Sequence, residues 1–147
     1  MKRRPLIAIL AALPFLQARL AHAATQVHVY KDPNCGCCTA WVDHLKAAGF
    51  SVKVTETDDT ASVRKRLGMP DRFGGCHTAT LDGYVLEGHV PAAEARRLLA
   101  TKPQAIGLAV PGMPVGSPGM EYGSRRDPYQ VLLIDRNGRE TVFASYP

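Results

Sequence analysis

The chain has 147 residues, with 18 Lys+Arg against 13 Asp+Glu, four cysteines and a formal net charge of +5. Four of the bases (Lys2, Arg3, Arg4, Arg19) and none of the acids lie in the first 23 residues, which leaves 14 bases against 13 acids in the rest. A near-neutral chain with no basic stripe among its aromatics excludes nucleic-acid binding, and its length fits one small domain around one core.

The start reads as an export leader. Lys2-Arg3-Arg4 is positive, Leu6 to Leu16 is apolar apart from Pro14, and Ala21-His22-Ala23 has the small-x-small pattern of a cleavage site. The apolar run falls short of the ~20 residues that cross a bilayer, and Arg19 cuts it off. The expectation is a signal peptide over residues 1–23, cleaved near Ala23, and a periplasmic domain over 24–147 with no membrane attachment.

Gln26 to Tyr30 alternates and is β-rich, which predicts a strand. Lys31-Asp32-Pro33-Asn34 is a loop in which Asp32 or Asn34 is placed to cap a helix from Thr39 to Ala48, ended by Gly49. Trp41, Leu45 and Ala48 share one face of that helix. A second strand follows over Ser51–Thr55, then a short basic helix from Ala61 to Leu67, stopped by Gly68 and Pro70. Asp82-Gly83 is a hairpin signal between the runs Cys76–Leu81 and Tyr84–Val90. Pro91 opens a helix reaching to about Leu99. Gly107 to Pro128 is dense in Gly and Pro yet carries Leu108, Val110, Met113, Val115 and Met120. A plain linker would be polar, so this stretch reads as an ordered loop packed on something, as lids over sites are. Gln130–Ile134 and Glu140–Ala144 flank a last turn and form a C-terminal hairpin. The order β-α-β-α-β-β-α predicts an α/β fold, a thioredoxin-like sandwich extended by the long loop and the hairpin.

Cys35-Gly36-Cys37-Cys38 stands where a strand meets a helix. Helix N-termini carry unpaired N–H groups and partial positive charge, which favour thiolate over thiol. Cys35 and Cys38 have the spacing of a dithiol redox pair, and Cys37 is surplus to that use. Three sulfurs within one turn suit a soft cation such as Cu(I) or zinc. Structural zinc sites draw four ligands, usually in two separated pairs, which favours copper here. Cys76-His77 supplies a second arm at the point where thioredoxin-like enzymes place a cis-proline. The plainer alternative is a disulfide between Cys76 and one of the other three.

The remaining candidates are weaker. Strand alternation sets Cys76 and His77 on opposite faces, so His77 ligates only if the strand start is irregular. His89, near the end of the hairpin, fits a surface or capping role as well as a ligand. His44 reads as an ordinary amphipathic side chain and His28 as solvent-facing. Met113 and Met120 are soft ligands of second rank, since loop methionines more often pack. Met69 reads as core, and Trp41 as an anchor shielding the sulfurs from water.

Cys35-x-Cys37-Cys38 with Trp41, His44-Leu45 and Gly49-Phe50 resembles the opening of a bacterial family known as domain of unknown function 411. Cys76-His77-Thr78-Ala79, Gly83-Tyr84-x-x-Glu87-Gly88-His89-Val90-Pro91, Gly107 to Pro114 and Gly116 to Glu121 match it too, so the resemblance spans nearly all of the domain. The family is described as metal-binding and includes CopG-like periplasmic proteins of copper-resistance operons. The resemblance implies a thioredoxin-like fold with a multinuclear copper site, serving copper redox or sequestration, with the family's cysteines at Cys35, Cys37, Cys38 and Cys76. The expected function is copper binding in copper resistance, as a metal-binding protein rather than a conventional enzyme. Cu(I) would be held by these cysteines with His77, His89, Met113 and Met120 as outer contributors, and periplasmic copper-handling proteins would be partners. Two alternatives stay open: a thiol–disulfide oxidoreductase using Cys35 and Cys38, and a disulfide-stapled interaction domain.

Overall fold

A computed structural model describes residues 25–147, so the expected signal peptide lies outside the described residues. In chain order the elements are β1 (Gln26–Lys31), α1 (Gly36–Ala47), β2 (Ser51–Glu56), α2 (Thr60–Arg66), a 3-10 turn (Asp71–Phe73), β3 (His77–Leu81), β4 (Tyr84–Gly88), α3 (Ala92–Thr101), β5 (Ala105–Val110), β6 (Tyr129–Asp135) and β7 (Glu140–Tyr146). The fold is mixed α/β around one seven-stranded sheet in the order β2-β1-β3-β4-β5-β6-β7. The β1/β2 and β4/β5 pairs are parallel, bridged by α1 and α3 respectively, and the other pairs are antiparallel.

The core lies between the sheet and these two helices. Trp41 and Leu45 of α1 and Ala95 and Leu98 of α3 pack on Val27, Val29, Leu86, Leu108 and Val110. Alternate residues Val85, Ala109 and Ile134 face the other way, onto Met69 and Phe73. The expectation for Met69 is therefore met.

Four local details differ from the sequence reading. First, β5 occupies residues expected to start the loop, which begins instead at Pro111. Ile106 to Val110 is almost continuously apolar, the pattern of a parallel strand covered on both faces, and Gly107 disguises it. That glycine is needed: a Cβ there would sit 1.8 Å from the Val85 carbonyl oxygen of the neighbouring strand.

Second, α1 begins at Gly36, so Cys37 and Cys38 lie in its first turn. Third, neither Asp32 nor Asn34 is its cap. Asp32 Oδ1 instead accepts the Asn34 amide at 2.7 Å, and Cys35 is the N-cap, its Sγ accepting the Cys38 amide at 3.3 Å. Fourth, Pro91 stands at the N-cap of α3, one residue before the helix, and offers no side-chain cap. His44 replaces it from α1: its Nε2 accepts the Ala92 amide at 3.0 Å. An ordinary amphipathic histidine was expected there, and a tertiary cap is found.

Candidate metal centre

Register builds the site. β1 and β3 are antiparallel with Lys31 opposite His77. The chain leaving β1 for Cys35–Cys38 and the chain entering β3 through Cys76 therefore meet at one end of the sheet. Cys35 Sγ lies 3.5 Å from Cys37 Sγ, and Cys37 Sγ lies 3.7 Å from Cys76 Sγ. All four sulfurs lie within 4.8 Å of one another. Cys35 and Cys38 are joined in a disulfide, while Cys37 and Cys76 are free thiols. The bridge is therefore the dithiol pair read from C-x-x-C spacing, and Cys76 takes no part in it.

Cys76 precedes β3, so the alternation argument does not govern it. Its Sγ lies 3.5 Å from His77 Nδ1 and 3.4 Å from His89 Nε2, and these three donor atoms form a second group within 4.8 Å. Both imidazoles are wholly buried, which overturns the surface or capping role offered for His89. Their protons are fixed on the far nitrogens. A carbonyl can only accept, so His77 Nε2–H donates to Gly88 O at 2.8 Å and His89 Nδ1–H donates to Pro118 O at 2.7 Å. The other nitrogen of each ring keeps its lone pair and faces Cys76, the arrangement by which outer carbonyls orient histidine ligands. Burial pushes the His77 pKa down to about 3 and lowers that of His89, so both rings are neutral near pH 7. Cys76 is not part of α1 and stands just before β3. Burial, and then the neighbouring Cys37, push its thiol up to about 12, so a metal must displace its proton.

The surroundings hold the donors still. Trp41 Nε1–H donates to Val90 O at 2.8 Å, and its ring stacks on His77 at 4.2 Å between centroids. Sequence reasoning gave Glu87 no role, although it stands in the Gly83–Pro91 motif as an acid inside a hairpin strand. Its wholly buried carboxylate accepts the Gly75 amide and the Thr78 hydroxyl, each at 2.7 Å, and Arg64 Nη1 at 3.2 Å. Those partners bracket Cys76 on both sides. Burial raises the Glu87 pKa, opposed by the same donors. Arg64 also pairs with Asp71 at 3.3 Å, which carries the clamp back to the 3-10 turn.

The loop over 111–128 meets the site from the other side. Ser117 and Pro118 are buried, and Gly119 lies so close to α1 that a Cβ would stand 2.8 Å from both Cys37 O and Trp41 N. On this loop Met120 is half-buried and Met113 exposed. His28 lies elsewhere, half-buried against Tyr30 and bonded to Thr55 at 2.8 Å.

The family model described as "Protein of unknown function, DUF411" matches residues 73–120, which hold Cys76, His77, His89, Met113 and Met120. Two solved structures of a copper resistance protein, CopG forms 1 and 2, are each 48% identical to the chain with a TM-score of 0.81. Each alignment covers 85% of this chain, and 100% and 99% of form 2 and form 1 respectively. No curated protein matches.

Proposed function

Since the chain belongs to the DUF411 family, alongside the copper resistance protein CopG, we propose that it is a periplasmic copper-binding protein of copper resistance. The observation that carries this reading is a pair of donor groups that share Cys76, one of four sulfurs and one of Cys76 with two lone-pair-bearing imidazole nitrogens. Thiolate and imidazole together suit Cu(I), and crowded thiolates can bridge several ions. Cys35, Cys37, Cys38 and Cys76 would be ligands once the Cys35–Cys38 disulfide is reduced by two electrons. His77 and His89 would complete the set on the Cys76 side, with Met113 and Met120 as outer donors from the loop. The sheet order β2-β1-β3-β4, with α1 following β1, supports the thioredoxin-like reading of this half of the fold. The leader over 1–23 would deliver the chain to the periplasm, where copper-handling proteins would exchange metal with it.

The test is Cu(I) titration of the reduced, oxygen-free protein against a chromophoric chelator, counting bound metal. More than one copper retained per chain, and lost in Cys37→Ser and Cys76→Ser, is the expected result. Transfer of all copper to the chelator would sink the reading.

The disulfide itself favours a second reading, thiol–disulfide exchange through Cys35 and Cys38. That reading expects insulin reduction by the metal-free dithiol form, undiminished in Cys37→Ser and Cys76→Ser.

A further inference from the structure

His77 and His89 pose a question of donors that the four-sulfur group does not answer. Both rings are wholly buried, and each spends its N–H on a carbonyl, that of Gly88 or of Pro118. The two remaining lone pairs, on His77 Nδ1 and His89 Nε2, face the single Sγ of Cys76. A thiol carries one proton, so Cys76 serves only one of these nitrogens at a time. The other is then a buried acceptor with no donor among the described residues, which is unfavourable. One cation among the three atoms would meet both lone pairs and the sulfur together.

The distances fit such an ion. Zinc takes thiolate at about 2.3 Å and imidazole at about 2.0–2.1 Å, and a tetrahedral angle between those bonds sets S and N about 3.6 Å apart. Cys76 Sγ lies 3.5 Å from His77 Nδ1 and 3.4 Å from His89 Nε2. The rings meet edge to face, with 79° between their planes, so both reach one point without stacking on each other. None of the three donors belongs to the Cys35–Cys38 bridge. The four-sulfur group needs that bridge reduced, and this group does not.

We propose that Cys76, His77 and His89 form a metal site of their own, which takes one borderline divalent cation of the zinc class while Cys35 and Cys38 stay oxidised. One thiolate and two imidazoles suit such an ion, whereas carboxylate and carbonyl oxygens suit magnesium and calcium. The thiol gives up its proton on binding, and the fourth position falls to water or another small ligand. The bridge thereby selects the metal. Oxidised, the centre offers one divalent site; reduced, Cys76 joins the sulfur group. The inference goes beyond the copper reading and does not rest on it.

The test adds Co(II) to the oxidised protein without reductant, because cobalt reports four-coordination and thiolate ligation in its absorption bands. One Co(II) per chain with a thiolate charge-transfer band, displaced by Zn(II) and not by Mg(II), is the expected result. Thiol counting before and after should find the bridge intact. Cys37→Ser should keep the band, which identifies the sulfur as Cys76 even where Cys76→Ser does not fold. His89→Gln should weaken binding by at least the ~10–100-fold that losing an outer partner of a ligand costs. Absence of the band, its loss in Cys37→Ser, its survival in Cys76→Ser, or binding only after reduction would each overturn the proposal. Oxidised protein that takes Co(II), beside reduced protein that surrenders Cu(I), would leave this site standing and sink the copper reading. The reverse pair of results would sink this site alone.

Discussion

His77 and His89 serve as neutral rings whose lone pairs face one sulfur, and that state depends on pH in a defined direction. The folded pKa of His77 is depressed to about 3 from an unfolded value of 6.5. The unfolded chain therefore binds the proton first, and the stability tied to this ring is present above pH 6.5 and lost as pH falls toward 3. Denaturant midpoints of the metal-free protein should drop across that window, and less steeply in His77→Gln. Equal acid limbs in the two proteins would contradict the assignment. His44 tests a different role. Its Nε2 caps α3 where Pro91 cannot, so His44→Ala should cost about 1 kcal/mol. A shifted urea midpoint with unchanged Cu(I) affinity is the expected outcome.

Among the elements, the loop over 111–128 matters most after α1 and β3. Its Pro118 carbonyl sets the proton of His89, and Gly119 lets it lie against the first turn of α1. Gly119 has φ +87, and an added Cβ would meet Cys37 O and Trp41 N at 2.8 Å. Gly119→Ala should therefore lift the loop, free the His89 ring and weaken Cu(I) retention, while far-ultraviolet circular dichroism stays unchanged. Unaltered retention would show that the loop only covers the centre. At the entry to β3, Glu87 holds Gly75 and Thr78 on either side of Cys76. A carboxylate serves there because it presents only acceptors to three converging donors.

At the scale of the molecule, the sheet brings together residues 38 to 41 positions apart, Cys38 with Cys76 and Cys35 with Cys76 among them. The Cys35–Cys38 disulfide makes the four-sulfur set conditional on reduction. The dithiol form should bind more Cu(I) per chain than the oxidised form, as metal counting after gel filtration would show; equal loading would place the metal on Cys37, Cys76 and the histidines alone. Much of this was legible from sequence. The C-x-C-C turn at a helix start, the second cysteine arm, the Asp82-Gly83 hairpin and the last hairpin are local patterns, and local pattern governs strand, turn and helix where burial is one-sided. β5 was not legible, because a strand buried on both faces has no alternation and its glycine imitates a loop. The ligand geometry at His77 and His89 was not legible either. Which ring nitrogen keeps its proton depends on the carbonyls of Gly88 and Pro118, and only the packed chain decides where those point. Sequence by itself determined which soft donors the protein owns and which turn gathers three of them. The tertiary structure decided how the fourth sulfur, two imidazoles and a clamping carboxylate come to lie beside them, because strand register and burial, not spacing along the chain, set distance and charge.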